Sequence, residues 1–255
     1  MRNTLTVDGV DLSTYGVYIS GGGTFSSPDK EFTFFEVPGH NGSQVGKNSR
    51  FADIDVSYNC FIYTNFDSNV AALREFLLSR DGLVQIKDTY HRNMYRKGVY
   101  QGPFEPKVNS TLDAGSFTLT FRCRPERWIV DTVIYGCSRN GYVEMNNITE
   151  YDAKPFITVT MDDQTQGYFY FSKAGQTNRY IRINNIDVAT FYVDCEKMTV
   201  YDANGVNKSM YVQSLIGSVG GADFPVLWPG TTRITVPASS NGIHHIQFSP
   251  NWWTI

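Results

Sequence analysis

Apolar and polar residues alternate with a period of two along most of this 255-residue chain, and that rhythm confines it to strands with one buried face and one wet face. Ile54, Val56, Tyr58, Cys60 and Ile62 fall on one side of such a strand, with Asp55, Ser57 and Asn59 on the other. Phe117, Leu119, Phe121 and Cys123 likewise oppose Ser116, Thr118, Thr120 and Arg122, and Phe191, Val193 and Cys195 oppose Thr190, Tyr192 and Asp194. The 16 Tyr and 17 Phe supply the bulk that pleated surfaces favour, so the expected fold class is mainly β. Strands are predicted over 4–7, 54–63, 83–87, 116–123, 157–161, 168–171, 188–195, 197–201, 233–236 and 243–248. Asp8-Gly9, Asn204-Gly205 and Asn241-Gly242 place residues tolerant of positive φ between apolar runs, which is hairpin chemistry.

One segment departs from this rhythm. Val70, Leu73, Phe76 and Leu77 recur at helical spacing, which predicts a single amphipathic helix capped by Asp67 or Ser68 and ended by Gly82. Lying between two strands, it is expected to cover one face of an antiparallel sheet. The run Arg124-Pro125-Glu126-Arg127-Trp128 and the polar stretch 138–147 then mark a domain boundary, giving an N-terminal domain over 1–135 and a C-terminal domain over 136–255. The second has many short strands and no helical stretch, the pattern of a β-sandwich.

Two stretches read as long and irregular. Ser20–Gly46 carries Phe32, Phe34, Phe35 and Val37 between Gly21-Gly22-Gly23 and Pro38-Gly39-His40-Asn41-Gly42. A long excursion with exposed aromatics is the signature of an interaction arm. Asp88–Pro106 sets Tyr90, Tyr95, Tyr100 and Phe104 among His91, Arg92, Arg96 and Lys97, and is read as a surface feature of the same kind.

Reaction classes fail one at a time. No GxSxG pentapeptide is present, and Gly217-Ser218-Val219-Gly220 has the wrong spacing. Gly21-Gly22-Gly23 has no Lys-Ser or Lys-Thr after it and no helix to receive a phosphate. Neighbouring His244 and His245 point to opposite faces of a strand, so they cannot share an ion, and counting by twos places His244 in a core with Ile246 and Phe248. Asp162-Asp163 is explained by turn chemistry, and the four cysteines have no metal-site spacing and read as core residues. Sequons at Asn41, Asn109, Asn147 and Asn207 are expected to be unmodified, because the start Met1-Arg2-Asn3-Thr4 lacks a secretion signal. A formal charge of -3 without a basic run argues against stable nucleic-acid binding, and no stretch approaches the roughly 18 apolar residues that membrane insertion needs. The expectation is a soluble protein made in a cytoplasm, with no catalytic, cofactor or metal residues.

The signature pieces fall in an order that resembles one family. They run from Pro38-Gly39-His40-Asn41-Gly42 through the helix with Asp81-Gly82, Asp88-Thr89-Tyr90, Tyr95-Arg96 and Gly115-Ser116-Phe117 to Phe121-Arg122-Cys123-Arg124-Pro125-Glu126-Arg127-Trp128. Lys154-Pro155, Val193-Asp194-Cys195-Glu196, Phe224-Pro225-Val226-Leu227-Trp228-Pro229-Gly230 and Pro250-Asn251-Trp252-Trp253 follow. Together they resemble the distal tail (Dit) proteins of long-tailed, non-contractile bacteriophages. His40 departs from that pattern, where Arg is expected.

The resemblance implies a ring, usually a hexamer, that joins the tail tube to the host-recognition apparatus at the phage tail tip. It implies a ring-forming N-terminal domain and a galectin-like or jelly-roll C-terminal sandwich. Its expected partners are further copies of itself, the tail tube protein, a tail-associated fibre or tip protein and a receptor-binding protein. In this frame Phe32, Phe34, Phe35, Val37, Pro38, Gly39 and His40 are the candidate ring interface, with Phe34 and Phe35 as anchors. The competing reading has these phenylalanines capping their own core. Trp228, Trp252 and Trp253 are candidate sugar platforms in an alternative function, a carbohydrate-binding sandwich acting directly in host adsorption; the competing reading packs them inside the domain.

Overall fold

The computed structural model describes residues 2–21, 23–109, 111–130, 133–162, 166–216, 219–220, 224–238 and 242–255. Met1, Gly22, Asp163, Gly217, Ser218 and Asn241, named above, lie outside the described residues. The chain divides into two compact units, Met1–Trp128 and Ile129–Thr254.

The first unit contains β1 (Leu5–Val7), β2 (Val10–Asp11), β3 (Tyr18–Ser20), β4 (Lys30–Glu36), β5 (Ser43–Phe51) and β6 (Ile54–Ile62). The helix α1 (Phe66–Leu78) follows, then β7 (Val84–Asp88), β8 (Met94–Tyr100), β9 (Lys107–Asn109), β10 (Ala114–Cys123) and β11 (Arg127–Ile129). The main sheet is antiparallel in the order β2-β1-β7-β8-β10-β6-β3. Its centre is the long β6–β10 ladder, which pairs Cys60 with Phe117, Tyr58 with Leu119 and Val56 with Phe121. The two alternating stripes therefore meet side by side on one face. Phe66, Leu73, Phe76 and Leu77 of α1 join that face in one buried core, as the 3.6-residue spacing requires.

The helix start differs from expectation. Asp67 and Ser68 lie inside α1, and the N-cap Asn65 sits in the left-handed region at φ 51° without a side-chain cap. The carboxylate of Asp113 closes the end instead, accepting the N–H groups of Asn65 at 2.7 Å and Phe66 at 3.1 Å. The stretch 88–106 is no surface feature either. It contains β8, an interior strand between β7 and β10, with Arg96 and Tyr100 buried. Asp8-Gly9 forms the expected tight turn, both residues at positive φ and Val7 opposite Val10.

The second unit contains β12 (Tyr135–Ser138), β13 (Gly141–Asn147), β14 (Phe156–Met161), β15 (Gly167–Ser172), β16 (Arg179–Ile183) and β17 (Thr190–Asp194). It continues with β18 (Thr199–Asp202), β19 (Val212–Ile216), β20 (Val219–Gly220), β21 (Gly230–Val236), β22 (Ile243–Ser249) and β23 (Trp253–Thr254). A five-stranded sheet, β12-β22-β14-β17-β18, and a six-stranded sheet, β13-β21-β15-β16-β19-β20, share one core built on Phe169, Phe171, Phe191 and Phe248. The polar stretch 138–147 turns out to hold β13, because Met145 and Asn147 face inward while the polar residues between them face out. Asn147, buried there, donates to the carbonyls of Tyr151 and Leu227 at 2.8 and 3.1 Å.

Counting by twos fails at His244. The pairing shifts between Thr160, opposite His245, and Met161, opposite Ile243. This bulge spends one residue, so Ile243 and Ile246 are both buried and the His244 side chain is 68% exposed. The four cysteines are buried, and burial pushes the thiols of Cys60 and Cys123 up to about 12 and that of Cys137 up to about 11.

Candidate functional site

The excursion between β3 and β6 is not irregular. It folds into a two-stranded sheet of its own, β4 against β5, pairing Thr33 with Gly46, Phe34 with Val45, Phe35 with Gln44 and Glu36 with Ser43. Alternation hid this strand because Phe34 and Phe35 are adjacent, so each face of the ribbon carries an aromatic side chain. Pro38-Gly39-His40-Asn41-Gly42 is its tip. The His40 N–H donates to the Val37 carbonyl at 3.1 Å, and Gly39 and Gly42 take φ of 83° and 84°.

Strand geometry distributes the candidate residues to two sides. Phe32 and Phe34 share one face with Val45, their rings 6.4 Å apart. Phe35 lies on the other face across Gly46, where an added Cβ would stand 2.7 Å from its ring. Gly46 is thus the bed on which the ring lies, and a larger residue would lift it. At the root, the Lys30 ammonium is 5.6 Å from the Phe32 ring and 5.7 Å from the Phe51 ring.

Exposure speaks against the core-capping reading of these phenylalanines. Phe32, Phe34 and Phe35 are 44%, 65% and 54% exposed, and none joins the buried core of its unit. They do not cap it. Val37 is half-buried, and Pro38, Gly39 and His40 are exposed. Val45, 54% exposed, extends the apolar surface, and Phe25, 82% exposed on the approach to β4, stands by His91. Neither stood out in the sequence; the pairing of Val45 with Phe34 follows only once the Pro38–Gly42 run is read as a hairpin tip. The result is an exposed apolar patch on a two-stranded ribbon.

The proposed sugar platforms fare differently. Trp228 and Trp252 are 5% and 4% exposed inside the second unit's core, so neither offers the open face that stacking on a pyranose requires. Trp253 is half-buried: Tyr151 stacks on it at 4.3 Å, and its indole N–H donates to the Asp152 carbonyl at 3.0 Å. Among the described residues no helix is long and apolar enough to cross a membrane, and no three His, Cys, Asp or Glu side chains gather as metal ligands would.

No protein-family model and no curated protein sequence matches the chain. Among solved structures, the Dit protein of phage SPP1 superposes over 100% of both chains with a TM-score of 0.73 at 15% identity. The chain has the Dit fold. The SPP1 Dit protein is described as a paradigm of the hub adsorption apparatus in phages that infect Gram-positive bacteria. Chains of the phage P2 baseplate in its activated conformation, with Ca and with Sr, each cover 97% of both partners at 9% identity, with TM-scores of 0.46 and 0.49. Within the Dit fold, the phenylalanines of the ribbon stand outside the first unit's buried core.

Proposed function

We propose that this chain is a structural virion protein, the distal tail protein of a long-tailed, non-contractile phage. Its copies close into a hexameric ring that links the tail tube to the tail-tip host-recognition apparatus. The observation that carries the reading is the β4–β5 ribbon: aromatic side chains exposed on each of its faces, outside the core of a chain with the Dit fold. A ring needs head-to-tail contacts between two different patches, and a strand pair with aromatic anchors supplies one of them. In this reading residues 1–135 build the ring, and residues 136–255, a galectin-like sandwich, face the tail-associated fibre or tip protein and the receptor-binding protein.

Nothing in this role calls for catalysis or a cofactor. A subunit with a formal charge of -3 gives passing DNA little counterion-release affinity, which suits the rim of a channel that DNA traverses without binding. Mass photometry and negative-stain imaging of the purified chain test the reading. The expected particle is a ring of six times the 28.8 kDa chain mass. Phe34→Ser with Phe35→Ser should reduce it to single subunits with unchanged circular dichroism. A wild-type monomer, or a ring that survives both substitutions, would overturn the proposal.

A further inference from the structure

In the first unit's main sheet, β8 and β9 lie end to end along the same side of β10. Gly98 pairs with Cys123 and Tyr100 with Phe121, and pairing resumes only at Lys107 opposite Ser116. Residues 101–106 therefore stand opposite the shorter stretch 117–120, and among the described residues no backbone hydrogen bond joins the two. Pro103 and Pro106 have no N–H to give, and Phe104 turns into the core, its ring 5.0 Å from that of Phe117. Just past β10, the Arg124 N–H donates to the Lys97 carbonyl on this side at 2.8 Å. Counting back by twos, Thr118 and Thr120 turn their N–H and C=O groups into the gap.

A groove of about 610 Å³ borders this gap. Its floor is the outward face of three strands, with Ser20 from β3, Asn59 and Phe61 from β6, and Ser116, Thr118 and Thr120 from β10. Cys60 and Phe117 also border it although their side chains lie in the core, so the groove reaches the main chain of the floor. The segment 102–107 forms a wall, and its Glu105 and Lys107 are the charged residues of the lining. The Thr118 hydroxyl donates to Asn59 Oδ1 at 3.2 Å, and among the described residues the Asn59 amide N–H groups have no protein acceptor. Phe61 is half-buried, with the Tyr18 ring against it at 5.9 Å.

We infer that this groove binds a neutral glycan carrying an N-acetylamino sugar. An acetamido group brings one N–H and one C=O, the same pair that a strand residue would bring, so it completes the interrupted ladder beside Thr118 or Thr120. The sugar hydroxyls find partners in Asn59 and Ser116, and the Phe61 ring offers an apolar surface to the C–H side of a pyranose. One carboxylate and one ammonium cancel, so the lining favours neither a phosphorylated nor a polycationic ligand. A through-running peptide strand is blocked, because β8 and β9 close the gap at both ends. The volume falls in the range of about 300–1,000 Å³ that small-molecule sites occupy. The inference stands on the first unit alone and does not depend on ring formation.

Tri-N-acetylchitotriose is the probe, and cellotriose, with the same linkage and no acetamido group, is its control. Calorimetric titration of the full chain should give a saturable heat with tri-N-acetylchitotriose and binding of cellotriose weaker by about fivefold or more, the equivalent of one neutral hydrogen bond. Amide hydrogen exchange should slow in the peptide spanning 114–123 when tri-N-acetylchitotriose is bound. Asn59→Ala should weaken binding about fivefold, whereas Trp253→Phe, in the second unit, should leave it unchanged. Absence of a saturable heat in the wild-type chain, equal binding of cellotriose, or unchanged exchange over 114–123 would sink the assignment whether or not Asn59→Ala folds.

Discussion

Lys208 is buried, 8% exposed, and survives there because its ammonium lies 2.8 and 2.9 Å from the two carboxylate oxygens of Asp187 and 3.8 Å from Asp202. The hydrogen bond from Lys208 holds the Asp187 carboxyl below its ordinary 3.8, and the same bond raises Lys208 above its ordinary 10.5. The signs fix a window. Asp187 adds stability above pH 3.8 that is lost as pH falls through its lowered value; Lys208 adds stability below pH 10.5 that is lost as pH rises past its raised one. Asp187→Asn should therefore lower the urea midpoint at neutral pH and converge on the wild type in strong acid; equal midpoints at pH 7 would refute this. The turn beside Lys208 was legible, because Asn204-Gly205 announces it and Asp202 Oδ1 accepts the N–H groups of Asn204 and Val206. The lysine's partner was not, since Asp187 lies 21 residues away and no local pattern joins them. Cys60 and Cys123, by contrast, were placed correctly from their own strands alone.

Local chemistry announces an element when its signal is periodic and its partners are close in sequence. The strands β6 and β10 met the first, which sufficed to place their faces although their partners are distant in sequence. The helix met the first, but its cap comes from Asp113, 47 and 48 residues beyond the N–H groups it accepts, and so escaped a search for a neighbouring Asp or Ser. Asp113→Ala should cost about 1–2 kcal/mol, read as a lower denaturant midpoint for the helical signal, with Asp67→Ala close to neutral. If Asp67→Ala is the costlier change, the helix is capped locally after all. The ribbon of β4 and β5 met only the second: Glu36 pairs with Ser43 across the tip, but the adjacent Phe34 and Phe35 break the period of two. The bulge at His244 shows the limit from the other direction: one inserted residue turned a correct strand into a wrong face.

The order of motifs along the whole chain pointed to the Dit fold even though the identity to the SPP1 Dit protein is 15%. What the two chains share is the fold, while most side chains differ. Each unit has its own buried core, one around Leu119 and Phe121 and one around Phe169 and Phe248. Calorimetry should accordingly resolve two transitions, and Leu119→Ala, which opens a cavity at a fully buried position, should cost about 2–5 kcal/mol in one of them only. A single transition shifted as a whole would contradict that division. The two-sided ribbon has one more consequence. A strand pair that shows aromatic rings front and back invites pairing with other chains, so in the proposed ring a freshly made subunit would carry its own seed for clumping until its neighbours arrive.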